Sequence, residues 1–359
     1  MEQKISKYWS EMFISNENNN ESSYIISTEP PIKYDGNNII ISHNIKESEY
    51  DEVVQFCRDH NKMSTGNTTL LSRSSLEKYL SFDNISIIIR SQNGKLIGVI
   101  LSIIFPIKVG NTNKNGDEII KHGCTTFLNV HSSVRNHGLC MALIRELTME
   151  GYKRQIYCDY HTIPFQLGTN SIKLYSYYRP INLKRCTEIG FVYPDCYDMR
   201  KNTANRIKYS NKLIPGFEFK KANENSLEFY LETIENKKFA YYPDKEQWNH
   251  FIKCFLTYEI FNNGKKVGIV SINTISCLIN TIKQEAKVAM PIIISGNIST
   301  ILKTLPYILK DNYDVLYLYD IFGLALKELN YIKTDNEIWF SLYNNRINLN
   351  ASDLSVPFL

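Results

Sequence analysis

Residues 124–150 read CTTFLNVHSSVRNHGLCMALIRELTME, and no other stretch of the chain says more about its fold. The first part, Cys124 to Val130, is rich in residues that favour β-structure and predicts a strand. The last part, Leu139 to Met149, places apolar side chains at helical spacing and predicts a helix. The stretch therefore predicts a strand that passes through a short loop into a helix, as in α/β proteins.

The loop between the two elements, Arg135 to Leu139, has the composition of an anion-binding turn. Gly138 lets the backbone approach a ligand closely. The first amides of the helix lack intrahelical partners and point outward at the positive end of the dipole, which suits a pyrophosphate. Arg135 adds a charge that binds phosphate in a bidentate manner. The pattern Arg-x-x-Gly-x-small is shared with the GNAT acyltransferases, although an ordinary loop with one basic residue fits the same letters.

A short motif occurs twice in the chain. Residues 93–99 read NGKLIGV and residues 263–269 read NGKKVGI, each between runs rich in β-forming residues. An Asn-Gly pair supplies the positive φ angles of a type I′ turn, so each copy predicts a β-hairpin.

The elements around the two hairpins also follow the same order, which favours a duplication over coincidence. Helices are expected at Glu49 to His60 and Leu76 to Phe82 before the first hairpin, and at Leu227 to Glu235 and Lys245 to Cys254 before the second. Ser48 and Ser74 are the expected N-caps of the first two helices, with Glu77 in capping-box spacing from Ser74.

The bulk composition limits the classes of function. A chain of 359 residues predicts two domains. A net charge of +4 suits an anionic small molecule and is smaller than the net charge typical of nucleic-acid-binding proteins.

The sequence contains no apolar run of transmembrane length and no apolar signal core at its start. The eight Cys residues form no CxxC pair, so we expect free thiols in a reducing compartment and no metal site. The abundance of Asn, Ile, Lys and Tyr indicates an AT-rich coding genome, as in a virus or a parasite.

The segment around the strand–helix junction carries a more specific likeness. Thr126 to His131 and Leu143 to Thr148 resemble the N-myristoyltransferase signatures Asn-Phe-Leu-Cys-Val-His and Leu-Ile-Arg-Glu-Ile-Thr. Further matches follow in family order at Lys7-Tyr8-Trp9, Tyr177 to Asn182, Glu188 to Phe191, Asp314-Val315 with Asp320, and Leu342-Tyr343-Asn344. By this resemblance the chain is identified as a glycylpeptide N-myristoyltransferase, which transfers myristate from myristoyl-CoA to the N-terminal glycine of proteins.

The resemblance implies an α/β (α+β) architecture of two tandem GNAT-like domains, each a mixed twisted sheet flanked by helices and related by a pseudo-two-fold duplication. We expect an arm at residues 1–35 that wraps acyl-CoA, a myristoyl-CoA domain at 36–205, and a domain at 206–359 that binds the peptide and carries the C-terminal carboxylate. The polar, turn-rich stretch Lys201 to Pro215 is the expected linker.

Roles for individual residues follow from the same resemblance. The main-chain N–H groups of Phe127 and Leu128, freed by an irregularity in their strand, are the expected oxyanion hole. The terminal α-carboxylate of Leu359 is the expected base, and Thr126 the expected partner of the substrate amine. The last residues, Leu354 to Leu359, are apolar, which favours a tail inserted into the protein.

Ligand contacts are implied for two further groups of residues. Myristoyl-CoA is the expected co-substrate, with no other cofactor and no metal. It is expected to contact Lys7, Tyr8, Trp9, Val130, Arg135, Asn136, His137, Gly138, Leu139, Cys140 and Met141. The substrate peptide is expected to contact Tyr157, Cys158, Gly168, Tyr178, Phe191, Ser276 and Asp335. His131 and His161 are expected to be packing or capping residues.

Several positions depart from the family pattern. Thr126 replaces an Asn, Cys158 replaces the Thr of a Tyr-Thr-Ala-Gly stretch, and Tyr178 replaces a His. The family's glycine-rich loop becomes Asn330 to Asn336, in which Asp335 alone of its polar members is kept. The acidic loop that favours lysine in the peptide is absent, since His60 to Thr68 carries no Asp or Glu. We therefore expect an altered peptide preference.

Two other interpretations stay open. One is a GNAT acetyltransferase with a short acyl donor, against which Lys7-Tyr8-Trp9 and the tandem architecture speak. The other is an acyl-CoA or peptide binding protein that has lost catalysis, which Thr126, Cys158 and the altered glycine loop motivate. In each case we expect a monomer in the cytoplasm, or in the host cytoplasm if the chain is viral.

Overall fold

The computed structural model describes residues 39–359 except 62–66, 112–115, 165, 167–170, 190–210, 212, 280–283, 322–325 and 346. The expected arm at 1–35, with Lys7, Tyr8 and Trp9, lies outside the described residues. So do Gly168, Phe191 and most of the expected linker.

The described part of the chain contains fifteen strands and seven α-helices. In order these are β1 (Ile39–His43), α1 (Tyr50–His60), β2 (Asn67–Leu70), α2 (Arg73–Leu80), β3 (Asn84–Ser91), β4 (Leu96–Asn111), β5 (Gly116–Val130), α3 (Leu139–Lys153), β6 (Cys158–Ile163), β7 (Ile172–Pro180), α4 (Leu183–Glu188), β8 (Phe217–Lys221), α5 (Ser226–Thr233), β9 (Phe239–Tyr241), α6 (Lys245–Cys254), β10 (Leu256–Asn262), β11 (Lys265–Ile279), β12 (Gln284–Gly296), α7 (Ile298–Leu309), β13 (Val315–Tyr319), β14 (Ile332–Tyr343) and β15 (Leu354–Ser355).

The contacts divide the described chain into two compact units. The first takes in 39–61, 71–173 and 338–349, and the second takes in 67–70, 174–337 and 350–359. The boundary expected near residue 205 stays a prediction, since residues 190–210 are outside the described part.

The first unit is a mixed sheet with the strand order β1-β3-β4-β5-β6-β14. All neighbours are antiparallel except β5 and β6, which are parallel and are joined by α3. Helix α3 packs its apolar face on the sheet, with Ala142 and Leu143 fully buried against isoleucines of β3 and β4. Residues 124–150 thus form the predicted strand, loop and helix.

The second unit repeats this plan. Its strand order is β7-β13-β12-β11-β10-β8, with β2 alongside the far end of β11. Along this strand order, among the described pairings, β12 and β13 are the parallel neighbours, and α7 joins them, covering the sheet with Ile301, Leu302 and Leu305. Two helices, a hairpin, a third strand, a helix and a parallel strand therefore occur in both units, as the sequence predicted.

Each unit completes its sheet with a strand from a remote part of the chain. In the first unit β6 pairs with the end of β14, as Tyr343 lies opposite Asp159. In the second unit β13 pairs with β7, as Val315 lies opposite Pro180. Strand β7, which follows β6 in sequence, thus pairs within the second sheet. The end of β14, which follows β13 in sequence, pairs within the first.

Three local predictions need correction. Both residues of the second Asn-Gly pair have positive φ (49° and 77°), but in the first pair only Gly94 does (82°), so the first turn is not type I′. Helix α1 has Glu49 as its N-cap instead of Ser48. Helix α2 is capped by Ser72, whose hydroxyl accepts from the amide of Ser75, so Ser74 and Glu77 form no capping box.

Candidate functional site

A bulge interrupts β5 where the oxyanion hole was expected. Val99 lies opposite Asn129 and Leu101 lies opposite Thr126, so that Phe127 and Leu128 share the space opposite the single residue Ile100. A bulge of this kind leaves the extra residue unpaired and locally disrupts the ladder. Phe127 takes the positive φ of 53° that such a break requires. The strand irregularity implied by the resemblance is therefore present.

The side chains at the bulge form a mixed surface. Leu128 is 40% exposed. Phe127 is half-buried, with its ring centroid 5.3 Å from that of Tyr79 in α2. Thr126 is half-buried in the last regular pair before the bulge. The main-chain amides at 127 and 128 are thus accompanied by an apolar side chain that is open to contact.

The loop after β5 has the geometry of an anion site. Gly138 is the N-cap of α3 with φ of 78°, a left-handed conformation that favours glycine. Its carbonyl accepts from the amides of Met141 (3.0 Å) and Ala142 (3.1 Å), which closes the first turn. The amides before them in the turn have no intrahelical acceptor and carry the positive end of the dipole. The expected ligand residues fall into two sets here: Arg135, Asn136, His137 and Gly138 are exposed, while Val130, Cys140 and Met141 are half-buried and Leu139 is buried.

The guanidinium of Arg135 holds the loop together. Its Nη2 donates to the carbonyl of His60 at 2.6 Å and its Nε donates to the carbonyl of Val130 at 3.3 Å. The rings of His60 and His131 lie against each other with centroids 4.2 Å apart. Desolvation, together with the nearby positive groups, lowers the pKa of both imidazoles below the usual 6.5. The phosphate-binding role of Arg135 stays a prediction, while its hydrogen bonds tie β5 to the end of α1.

The peptide residues expected in the first unit differ in accessibility. Tyr157 is half-buried and packs edge-on against Tyr152, with centroids 5.1 Å apart. Cys158 is only 2% exposed, and its thiol donates to the carbonyl of Asn344 at 3.4 Å. Burial raises the pKa of this thiol well above its usual range. Cys158 is therefore a core residue of the unit, with little surface left for a peptide.

Those expected in the second unit lie on three strands. Tyr178 of β7 is buried in an apolar cluster that also includes Ile275 and Cys277. Ser276, between those two residues in β11, is half-buried and lies opposite Lys287 of β12. Asp335 of β14 is exposed. Since alternate residues of a strand face opposite sides of the sheet, the Ser276 side chain lies on the other face from this cluster.

The last residues of the chain are docked in the second unit. Leu354 and Ser355 pair in parallel with Phe239 and Ala240 of β9. Val356, Pro357 and Phe358 are buried, and the Phe358 ring centroid lies 6.1 Å from that of Tyr319. Leu359 itself is half-buried. The apolar composition of the tail predicted this insertion.

A polar cluster that the sequence analysis did not anticipate lies on β4, β5 and β6. The carboxylate of Asp159 accepts from the hydroxyls of Thr125 (2.5 Å) and Ser102 (3.2 Å), and its second oxygen lies 3.1 Å from Nδ1 of His161. His161 was expected to be an isolated packing or capping residue. The alternation Asp-x-His within a strand was the one available signal, because residues two apart share a face.

Comparison with known proteins shows which solved structures share this fold. No protein-family model matches the sequence, and no curated protein matches it either. A crystal structure of Saccharomyces cerevisiae N-myristoyltransferase with bound myristoyl-CoA is similar over 99% of this chain and 100% of that one, with a TM-score of 0.78 and 16% identity. A second structure of the yeast enzyme, with myristoyl-CoA and inhibitors, gives a TM-score of 0.77 and 17% identity over 99% and 96% of the two chains. A GCN5-related glucosamine N-acetyltransferase region of a fungal multi-domain enzyme gives 0.53 at 12% identity, over 85% of this chain and 38% of that one.

The chain therefore has the fold of the GNAT-like acyltransferases, present in tandem. Within that class its fold is that of the N-myristoyltransferases, as the sequence motifs predicted. In the part of the chain that the structure describes, no helix combines the length and the apolar character needed to cross a membrane.

Proposed function

We propose that the protein transfers myristate from myristoyl-CoA to the N-terminal glycine of protein substrates. The observation that carries this proposal is the continuous segment from the β5 bulge to the start of α3. It presents two consecutive main-chain amides, an exposed leucine and a helix N-terminus within twelve residues, from Phe127 to Gly138. Those are the groups needed by a thioester carbonyl, an apolar acyl chain and a pyrophosphate.

The reaction requires three conditions: the amine must be neutral, the acyl carbon must be close to it, and the oxyanion must meet donors. In this proposal the amides of Phe127 and Leu128 bind the oxyanion. The main-chain origin of these donors explains why their side chains can differ in size without changing the chemistry. The substrate brings its own nucleophile, so no nucleophilic side chain is needed.

The amine is handled by different groups in the proposal. The α-carboxylate of Leu359 attracts the α-ammonium and accepts its first proton, and Thr126 accepts a hydrogen bond from the amine. The docked tail supports this role, since residues 354–358 are buried and Leu359 itself is half-buried. The loss of the acidic loop supports a peptide preference other than lysine after the glycine.

The exposed Leu128 favours a long acyl chain over acetyl, because burying a leucine side chain against hydrocarbon is favourable by about 2 kcal/mol. The proposal is tested with purified protein, a peptide that starts with glycine and labelled myristoyl-CoA or acetyl-CoA. We expect a peptide whose mass rises by a myristoyl group. Acetyl transfer alone would favour a short-chain GNAT enzyme. Tight myristoyl-CoA binding with no product from a broad peptide library would favour a binding protein.

A further inference from the structure

Asp159 and His161 lie side by side on β6, at the place where the ladder between β5 and β6 stops. The two parallel strands are paired from His122 and Cys158 to Cys124 and Tyr160, and the ladder does not extend further. The bulge at Phe127 begins three residues beyond Cys124. The Asp159–His161 pair is therefore at the open end of the two strands, beside the proposed oxyanion hole.

The fold provides space for the carboxylate and holds it in position. A Cβ placed on Gly123 would lie 2.5 Å from Oδ2 of Asp159, so a glycine is needed opposite this residue. Oδ2 receives hydrogen bonds from Thr125 and Ser102, which leaves Oδ1 for the imidazole. Both side chains of the pair remain accessible, with 18% of Asp159 and 20% of His161 exposed. A pair built only for packing would have no reason to keep this exposure.

The hydrogen-bond partner decides the tautomer of the ring. A carboxylate accepts, so Nδ1 of His161 is the donor and carries the proton in the neutral imidazole. Nε2 is then a proton acceptor. A carboxylate behind a histidine also stabilises the imidazolium that forms when the ring takes up a second proton.

Two polar residues near the pair are uncharged or face away from it. His122 lies on the opposite face of the sheet, because its neighbour Gly123 faces Asp159, and its ring is fully buried, which lowers its pKa. On the other side of β6, His161 lies opposite Ser341 of β14, whose hydroxyl bonds to that of Ser171 at 2.9 Å. Among the described residues, Asp159 is the charged group that forms a pair with His161.

The proposed reaction leaves one proton without an acceptor. An α-ammonium loses two protons when it becomes an amide nitrogen, and the terminal carboxylate takes only the first. The second leaves the nitrogen after the N–C bond has formed, while the C–S bond breaks and the CoA sulfur departs as a thiolate. The pKa of an imidazole is near 6.5 and that of a thiol near 8.5, so an imidazolium can protonate a departing thiolate. The pKa of an α-carboxyl is near 3.5, so its carboxylate is a weaker base than imidazole and is poorly matched to taking the second proton from the nitrogen.

Resting on the proposed function, we propose that His161 is a catalytic residue that carries this second proton. Its Nε2 takes the proton from the nitrogen of the tetrahedral intermediate and gives it to the CoA sulfur, yielding the amide and free CoA thiol. Asp159 is a positioning residue that fixes the ring, and Thr125 and Ser102 fix Asp159. His161 lies one residue beyond the last pair of the ladder and Phe127 three residues beyond it, an offset of about 7 Å along the strands, to which the spacing of about 5 Å between the strands adds. His161 would therefore reach a thioester held at Phe127 through its own ring or one water.

The test compares the full-length wild-type protein with His161→Gln and Asp159→Asn, using His250→Gln of the second unit as the matched control. For His161→Gln we expect kcat to fall by about 100-fold with KM values for both substrates within about threefold, as loss of acid–base catalysis requires. Asp159→Asn is expected to lose about 10-fold, and His250→Gln to match the wild type. Myristoyl-CoA binding by each variant shows that the site is intact.

A second donor separates chemistry from structure. The S-myristoyl ester of 4-nitrothiophenol releases a thiolate that needs no proton, so the ratio of wild-type to His161→Gln rates should fall from about 100 to below about 10. An unchanged kcat, or the same ratio with both donors, would overturn the role of His161 while leaving the myristoyltransferase proposal standing. A wild-type protein that forms no acylated peptide would overturn the proposed function itself. Ring ¹⁵N shifts provide a readout independent of activity, and an Nε2–H tautomer for His161 would contradict the assignment.

Discussion

Gly98 of β4 and Gly268 of β11 occupy the same place in the two units: each follows the glycine of its hairpin turn by four residues and lies under the helix that crosses its sheet. A Cβ on Gly98 would come 3.1 Å from Cδ1 of Leu143 in α3. On Gly268 it would clash with Ile301 in α7 and lie 2.8 Å from the carbonyl oxygen of Ser295. The duplicated hairpin thus keeps a glycine in both copies because a helix approaches each strand closely.

The two glycines differ in how easily the neighbouring atoms can move to make room for a Cβ. Gly268→Ala is expected to lower the free energy of unfolding by about 2–3 kcal/mol, because a main-chain carbonyl must move. Gly98→Ala is expected to cost about 1 kcal/mol or less, because the end of a leucine side chain can rotate away. Urea unfolding of both variants checks this, and equal losses would contradict the packing argument.

The oxyanion role of the β5 bulge is tested by removing one amide. Leu128→Pro deletes the N–H of residue 128 and is expected to lower kcat by about 100-fold or more. Leu128→Met keeps the amide and an apolar side chain of similar size and serves as the control, with an expected change in kcat of less than about fivefold. Turnover and myristoyl-CoA binding are measured for both. If Leu128→Pro turns over at the rate of Leu128→Met, the amide is not a donor to the oxyanion.

The docked tail provides a test of the terminal carboxylate. Adding two glycines after Leu359 moves the carboxylate away from the residues that hold the tail, without changing Phe358 or Val356. We expect turnover to fall by more than about 100-fold, because the proton acceptor is displaced, while acyl-CoA affinity is kept. Phe358→Ala is the companion variant: it should loosen the tail and lower both turnover and stability. Full turnover in the extended chain would rule out the carboxylate as the base.

The stacked imidazoles of His60 and His131 predict a pH effect on stability. The pKa of His60 is held below 6.5 by desolvation and then by the charges of His131, Arg135 and Lys95. An imidazole with a lower pKa in the folded chain than in the unfolded chain takes up protons on unfolding, so its contribution is present at neutral pH and lost as the pH falls below 6.5. Tm should therefore decrease between pH 7.5 and 5.5. In His60→Gln the decrease should be smaller, and an equal decrease would contradict the assignment.

The exchange of strands predicts that the first unit does not fold as a contiguous segment. A fragment of residues 1–205 lacks the end of β14 and leaves β6 as an open edge. It should be aggregation-prone and show weak protection of β6 amides from hydrogen exchange. Addition of a peptide with the sequence of residues 336–349 should improve both, whereas a scrambled peptide should not. A stable, monomeric fragment would show that β14 is dispensable.

Much of this fold could be predicted from local patterns. The two hairpins, the helix at Lys245–Cys254 and the strand–loop–helix at β5 and α3 are each encoded within about thirty residues. The first Asn-Gly turn shows the limit, because the dipeptide is compatible with more than one turn and the register around it decides. The sequence could not show which strand completes each sheet, because β6 and β14 are about 180 residues apart and either sheet edge would accept either strand.

Some features of the candidate site could likewise be predicted from local sequence, whereas others depend on contacts with distant residues. The bulge at Phe127 and the turn at Gly138 were predicted from a segment that resembles a family signature. The insertion of the tail was predicted from its apolar composition. The Asp159–His161 pair was not identified, because its significance depends on Thr125 and Ser102 on neighbouring strands. The burial of Cys158 was also not visible, since it is set by its contact with Asn344, far away in sequence.

The exchanged strands also have a consequence for biosynthesis. At about 5–20 residues per second, a ribosome needs about 10–30 seconds to proceed from residue 173 to the end of β14. During that interval the nascent first unit has an incomplete sheet, and its parallel strand β6 is exposed to other chains and to chaperones. The yield of native protein is therefore expected to depend on the timing of translation between the two units.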